Sequence, residues 1–345
     1  MKRLFRRSAD TFEALPKVDL HRHLEGSLRV DTLMEIAHEH SLTLPMSAMR
    51  MDRMVQVQKG EPLTFENFLA KFSVLRLFYR SPEVITRVTY EAIEDAAKDN
   101  VRYLELRFTP VALSRAERFP LSEVVDWVCE AAREAAKKLG ITVRLIASVN
   151  RHESPELAEQ VAWIAAERLA DGIVGLDLAG NEAQFPADPF IGIFNEAREA
   201  GLKITIHAGE WAGAENVRNA IEQFNAERIG HGVRAMEDDY VVALARERGT
   251  VFEVCVTSNY QTGVVPELRQ HPFKRMLDAG LNATLDSDDP SISQITLTSE
   301  YKLVNRELGL SLPTLKERIL AAAQAAFLPE PERAELVDRL KKQLS

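Results

Sequence analysis

Eight short runs of β character, each followed by a helical run, constrain this 345-residue chain more than any other feature. The strand-like runs fall at residues 17–23, 101–108, 142–149, 173–178, 203–207, 228–232, 250–256 and 282–286. Helical patterns occupy 30–40, 83–98, 121–138, 154–169, 189–200, 214–224, 237–248 and 272–279, and a charged helical tail begins near 297. Such alternation predicts parallel strands joined by crossover helices. Eight units in a chain of this length predict a closed (β/α)8 TIM-type barrel of the α/β class. Extra helices are expected in its N-terminal half and a helical cover at its C-terminus. The chain, 1–345, reads as a single domain whose barrel strands lie within about 17–290. An open doubly wound sheet is the competitor, but no G-x-G-x-x-G loop follows the first strand.

The polar residues at the strand ends carry the chemistry. On a strand, residues two apart point to the same side, so His21 and His23 project together while Arg22 faces away. His207 closes the fifth run, His231 the sixth, and Asp288 and Asp289 follow the eighth. All six stand at C-terminal strand ends, the face where barrel enzymes keep their active sites. His21, His23, His207 and Asp288 supply three imidazoles and a carboxylate, a set that suits one Zn²⁺ with a position left for water, although other divalent metals would accept it. Structural zinc sites favour cysteine, and neither Cys129 nor Cys255 is expected among these residues, which favours catalysis. A bound metal lowers the pKa of water towards ~7. Glu210, three residues after His207, is the candidate proton shuttle. His231, flanked by Gly230 and Gly232, is the candidate base or electrostatic partner, with a fifth metal ligand as the alternative. Asp289 is left to hydrogen-bond substrate. Asp286 competes for these roles but is expected within the last strand.

Two further stretches bear on the mouth. Phe65, Phe68, Leu69 and Phe72 recur at i, i+3, i+4 and i+7, which makes one apolar helix face: core packing or a gate over a ligand. Met46, Met49, Met51 and Met54 crowd an irregular stretch that suits either a mobile cover or gap-filling packing. His152, just past the third run, is a minor candidate for the mouth.

Composition excludes several classes. The net charge of −9 and the absence of a basic cluster argue against nucleic acid or an anionic membrane as partner. The basic N-terminal residues 1–8 have no apolar run behind them, so no export signal is expected, and no stretch is long enough to span a membrane. Two cysteines far apart make no disulfide framework, which fits a reducing cytoplasm. The oligomeric state is not legible.

His21-Arg22-His23-Leu24-Glu25-Gly26-Ser27, Leu178-Ala179-Gly180-Asn181-Glu182, His207-Ala208-Gly209-Glu210, Gly230-His231-Gly232, Thr257-Ser258-Asn259 and Ser287-Asp288-Asp289-Pro290 resemble, in order, the motifs of the adenosine deaminase family. The similarity spans about residues 14–300. It implies zinc-dependent hydrolytic deamination of a 6-aminopurine to the 6-oxopurine and ammonia, with one zinc per chain. By the resemblance, Glu210 protonates ring N1, His231 and Asp288 orient the attacking hydroxide at C6, Asp289 holds N7, and the backbone of Gly180 faces N3. Departures concern the substrate. Glu25 stands where adenosine deaminases usually carry Asp at the ribose. Val256 replaces a usual Pro, and Asp286-Ser287 a usual Asn-Thr. These departures leave adenosine, 2′-deoxyadenosine, adenine and 6-amino-6-deoxyfutalosine open, while the helix of Phe65, Phe68, Leu69 and Phe72 resembles the family's ribose-side gate and favours an adenosine-like nucleoside. Another amidohydrolase-type metallohydrolase is the more distant alternative. It would more often carry a bridging lysine, and none stands at a suitable strand end.

Overall fold

The structure, a computed structural model, describes residues 11–44 and 48–345. Eight parallel strands follow one another in chain order: β1 Lys17–His23, β2 Val101–Phe108, β3 Thr142–Asn150, β4 Ile173–Ala179, β5 Lys203–Ala208, β6 Arg228–His231, β7 Val251–Val254 and β8 Asn282–Leu285. Each is paired in parallel with the next. Apolar and β-branched residues such as Leu104, Leu106, Ile204, Ile206 and Ile229 are fully buried, the mark of strands covered on both faces. The helices form the outer wall of this (β/α)8 barrel.

Closure between β8 and β1 departs from a regular ladder. His23 N–H donates to Asp288 O at 2.8 Å, and Asp288 N–H to His21 O at 2.7 Å. Below that bridge, carboxylates substitute for backbone acceptors. Asp286 accepts from Leu20 N–H at 2.7 Å, and Asp19 accepts from Ser287 N–H and hydroxyl at 3.2 and 2.6 Å. Asp286 therefore lies just past β8 rather than within it, and it serves the seam instead of the cleft.

The seventh strand is shorter than expected: β7 stops at Val254, and Thr257, Ser258 and Asn259 lie in the helix Val256–Gln261. The C-terminal helices form the expected cover on the outside of the barrel. Leu312–Ala325 packs on β8 and β1 as the last wall helix, and Phe327 beyond it lies 3.5 Å over the guanidinium of Arg228 at the start of β6. That seals the end opposite the mouth. Met51 is fully buried in the helix Ala48–Val55, so it packs in the core. The N-terminal residues 1–8, Met46 and the side chain of Met49 lie outside the described residues. No helix among the described residues is long and apolar enough to cross a membrane.

Candidate active site

The C-terminal ends of the strands open into a cleft of about 640 Å³, counting its open mouth. Among its lining residues are His23, His207, His231, Asp288, Asp289, Glu25, Glu210 and Gly180. The four expected ligands converge at its floor. His21 Nε2 and His23 Nε2 lie 3.3 and 3.4 Å from Asp288 Oδ1, and His23 Nε2 lies 3.3 Å from His207 Nε2. Two donors on one tetrahedral zinc, each about 2.0–2.2 Å from it, stand roughly 3.3–3.5 Å apart, so this spacing fits a shared ion. His21 Nε2 is buried and, apart from its approach to Asp288, makes no hydrogen bond among the described residues, as an atom reserved for a metal would.

The side chains behind these ligands fix their tautomers. His21 Nδ1 lies 2.8 Å from Glu253 Oε2, and His207 Nδ1 lies 2.9 Å from Asp177 Oδ1. Each Nδ1–H donates to its carboxylate, which leaves the Nε2 lone pair facing the cleft. Both carboxylates are fully buried. Burial alone would raise them, but Arg107 and Arg228 hold Glu253 well below the usual range, and His207 and Arg107 do the same for Asp177. The sequence reading missed Asp177, Glu253 and Arg107. For Asp177 and Glu253 the signal was a lone charge inside an apolar buried strand, which has to face the barrel interior; β2 carries Arg102 and Glu105 besides Arg107, so Arg107 had no such mark.

Glu210 and His231 meet beside the ligands. Glu210 Oε2 lies 3.5 Å from His231 Nε2, which is 3.8 Å from Asp288 Oδ2. Burial, with the charges of Asp288 and Glu182 nearby, holds the Glu210 carboxyl well above its ordinary value. That environment favours the protonated form of Glu210. Glu182 forms the turn beneath it: its carboxylate accepts from Gly209, Glu210, Trp211 and Ala212 N–H at 2.5–3.0 Å, and from Asn216 at 3.1 Å.

A hydrogen-bond chain also fixes the tautomer of His231. Phe273 N–H donates to His271 Nδ1 at 3.1 Å, so neutral His271 carries its proton on Nε2 and donates to Asn259 Oδ1 at 3.2 Å. Burial keeps His271 neutral, pulled down to about 3. The Asn259 amide nitrogen must then donate, to His231 Nδ1 at 3.1 Å and to Glu210 Oε1 at 3.2 Å. His231, itself driven well below the usual imidazole value by burial against the pull of Asp288, presents Nε2–H to the cleft. His231 and Asp288 both adopt left-handed backbone, each with φ of 61°, a conformation that costs about 1–3 kcal/mol and is concentrated at functional sites.

Asp289 and Glu25 complete the floor. Asp289 Oδ1 is buried and unpartnered, and burial beside Asp288 and Glu25 pushes its carboxyl well above the ordinary value. It sits so close to the backbone that a Cβ at Gly26 would lie 1.8 Å from Oδ1, so only glycine fits. Glu25 accepts from Thr109 N–H at 2.7 Å through Oε1, while Oε2 is unpartnered. Gly180 has φ of 93°, bringing bare backbone to the cleft wall. Phe68, Leu69 and Phe72 of the helix Phe65–Leu75, capped by Thr64, line the opposite side, and Phe65 stacks on Trp211 at 5.1 Å.

Two sequence expectations fail here. Cys255 is not remote: its Sγ lies within 4.8 Å of ligand atoms of His231 and Asp288, because it directly follows β7. Burial and the Asp288 charge keep it a neutral thiol, directed at Glu253 O. His152 pairs with Glu153 at 3.2 Å outside the cleft.

The adenosine deaminase family model matches residues 16–343. The chain belongs to the adenosine deaminase family. An adenosine deaminase of Klebsiella pneumoniae is 39% identical over 331 residues, covering 95% of this chain and 98% of the relative. Among solved structures, an adenine deaminase from Arthrobacter aurescens superposes with a TM-score of 0.87 at 26% identity, covering 95% of this chain and 98% of the other. An amidohydrolase from Burkholderia ambifaria with bound zinc gives 0.87 at 28%, covering 96% and 93%. Family membership makes this protein a metal-dependent aminohydrolase acting on purines.

Proposed function

We propose that the whole chain acts as one barrel domain that hydrolyses the 6-amino group of an adenosine-like purine nucleoside, giving the 6-oxopurine and ammonia. One zinc ion per chain is held by His21, His23, His207 and Asp288. The reading rests on the convergence of those four donors under a cleft that also contains Glu210, His231, Asp289 and Gly180. Zinc held there supplies a Lewis acid that lowers the pKa of water towards ~7.

The remaining steps belong to side chains. Protonated Glu210 gives its proton to ring N1, drawing electrons from C6. His231 donates its Nε2–H to the attacking oxygen, which makes it an electrostatic partner rather than a base in its resting tautomer. Protonated Asp289 donates to N7, and the backbone of Gly180 faces N3. Of the two protons water brings, one leaves with the amine as ammonia and one restores Glu210. Glu25 contacts the sugar side.

Ammonia release from adenine, adenosine, 2′-deoxyadenosine and 6-amino-6-deoxyfutalosine by the zinc-loaded protein tests this reading. Turnover of a nucleoside above adenine is expected; release from adenine alone would overturn the nucleoside assignment.

A further inference from the structure

The cleft contains one cation that the reaction above does not use. Arg76 follows the helix Phe65–Leu75 and lines the cleft beside Glu25 and Phe72. Its Nε is buried without a partner, and none of its nitrogens makes a hydrogen bond or ion pair among the described residues. Other arginines with an orphaned Nε differ. Arg80, Arg107 and Arg218 place a terminal nitrogen on Glu117, Glu253 and Glu215, and Arg151 and Arg318 place one on the carbonyls of His207 and Ala283. Lys71, on the same helix, is also accounted for, at 2.9 Å from Glu61. Glu25 is near enough to feel the charge of Arg76 but makes no ion pair with it.

An uncommitted guanidinium in a concave, partly apolar cleft is a ready receptor for a planar or tetrahedral anion. Its position decides which part of the substrate it meets. The purine is taken up by Glu210, Asp289 and Gly180 near the floor, so the wall from Phe68 to Arg76 faces what is attached at the sugar.

We propose that Arg76 is an anion subsite, and that the preferred substrate is a 6-aminopurine nucleoside with a carboxylate or phosphate on its sugar side. The proposal rests on the deaminase reading and narrows its substrate class. Arg76 thereby determines specificity without taking part in the chemistry at C6.

The test compares kcat/KM of the zinc-loaded full chain for adenosine, adenosine 5′-monophosphate and adenosine 5′-carboxylic acid, in wild type, Arg76→Met and Arg76→Lys. Calorimetry of the products inosine and inosine 5′-monophosphate gives a reading independent of turnover. At least one anionic substrate should exceed adenosine by roughly 10- to 100-fold, the range of a charge-assisted hydrogen bond. Arg76→Met should collapse that ratio, and Arg76→Lys should restore part of it. The phosphate and carboxylate arms tell the two anions apart. Adenosine used as well as both anionic substrates, or a ratio unchanged in Arg76→Met, would overturn the subsite. An Arg76 that merely balanced Glu25 would weaken every substrate alike and leave the ratio unchanged. Failure of every 6-aminopurine, adenine included, to release ammonia would instead overturn the deaminase reading beneath it.

Discussion

Glu253 and Glu210 are both buried glutamates near the cluster of His21, His23, His207 and Asp288, yet burial has opposite outcomes for them. Under the floor, Glu253 meets Arg107 at 2.7 Å and Arg228 at 2.6 Å, and stays ionised. In the cleft, Glu210 has no arginine or lysine partner among the described residues and two acidic neighbours, and its carboxyl is held well above the ordinary value. The same contrast separates the two regions as wholes. The charges around Glu253 are paired as well: Arg228 also reaches Glu105, and Arg107 also reaches Asp177 at 3.4 Å. The cleft leaves His21 Nε2, Glu25 Oε2 and Asp289 Oδ1 open. Paired buried charges give a rigid platform, and unpaired polar atoms above it are places for ligand atoms. The carboxylates of Asp177 and Glu253 link the two, since each holds an interior arginine on one side and a cleft histidine on the other.

The contrast can be broken by exchanging roles. Glu210→Gln removes a proton donor without disturbing an ion pair. Turnover should fall by about 10²–10⁴ while zinc content and melting temperature stay near wild type, as steady-state kinetics with metal analysis would reveal. Substantial remaining activity would remove Glu210 from its role. Asp177→Asn keeps the shape but withdraws the negative charge behind His207, and zinc affinity should drop by roughly 10- to 100-fold in a chelator competition. Glu253→Ala leaves two buried arginines short of a partner, and denaturant unfolding should register a loss of about 3–5 kcal/mol. Glu210→Ala should cost far less in that assay; equal costs would erase the distinction between floor and cleft.

The smallest expected effect concerns His271. Its value is about 6.5 in the unfolded chain and about 3 when buried. Between those values only the unfolded chain takes up the proton. Its contribution to stability is therefore intact above pH 6.5 and falls by about 1.4 kcal/mol per unit as pH drops towards 3. A His271→Phe variant should show a correspondingly shallower acid slope in urea titrations from pH 6.5 to 5. An unchanged slope would count against a buried neutral His271, and with it the hydrogen-bond chain through Asn259.

The barrel was legible because eight strand–helix alternations repeat over most of the chain, and the His21/His23 spacing follows from strand geometry alone. What stayed hidden depends on tertiary proximity. Nothing in sequence joins Glu253 to His21, 232 residues away, or His271 to His231 through Asn259. Asp286 was misplaced because β8 is only four residues long and its carboxylate finishes the barrel seam by capping Leu20. Cys255 was misjudged for a similar reason: β7 ends one residue before it, so the chain turns it back towards Asp288. Arg76 carries no sequence signal, since its lack of a partner is visible only in three dimensions.

Anomalous diffraction at the zinc edge from crystals of the zinc-loaded protein tests the central claim most directly. One peak per chain is expected, about 2.0–2.2 Å from donor atoms of His21, His23, His207 and Asp288. Two neighbouring peaks, or a single peak away from any of those four side chains, would contradict it.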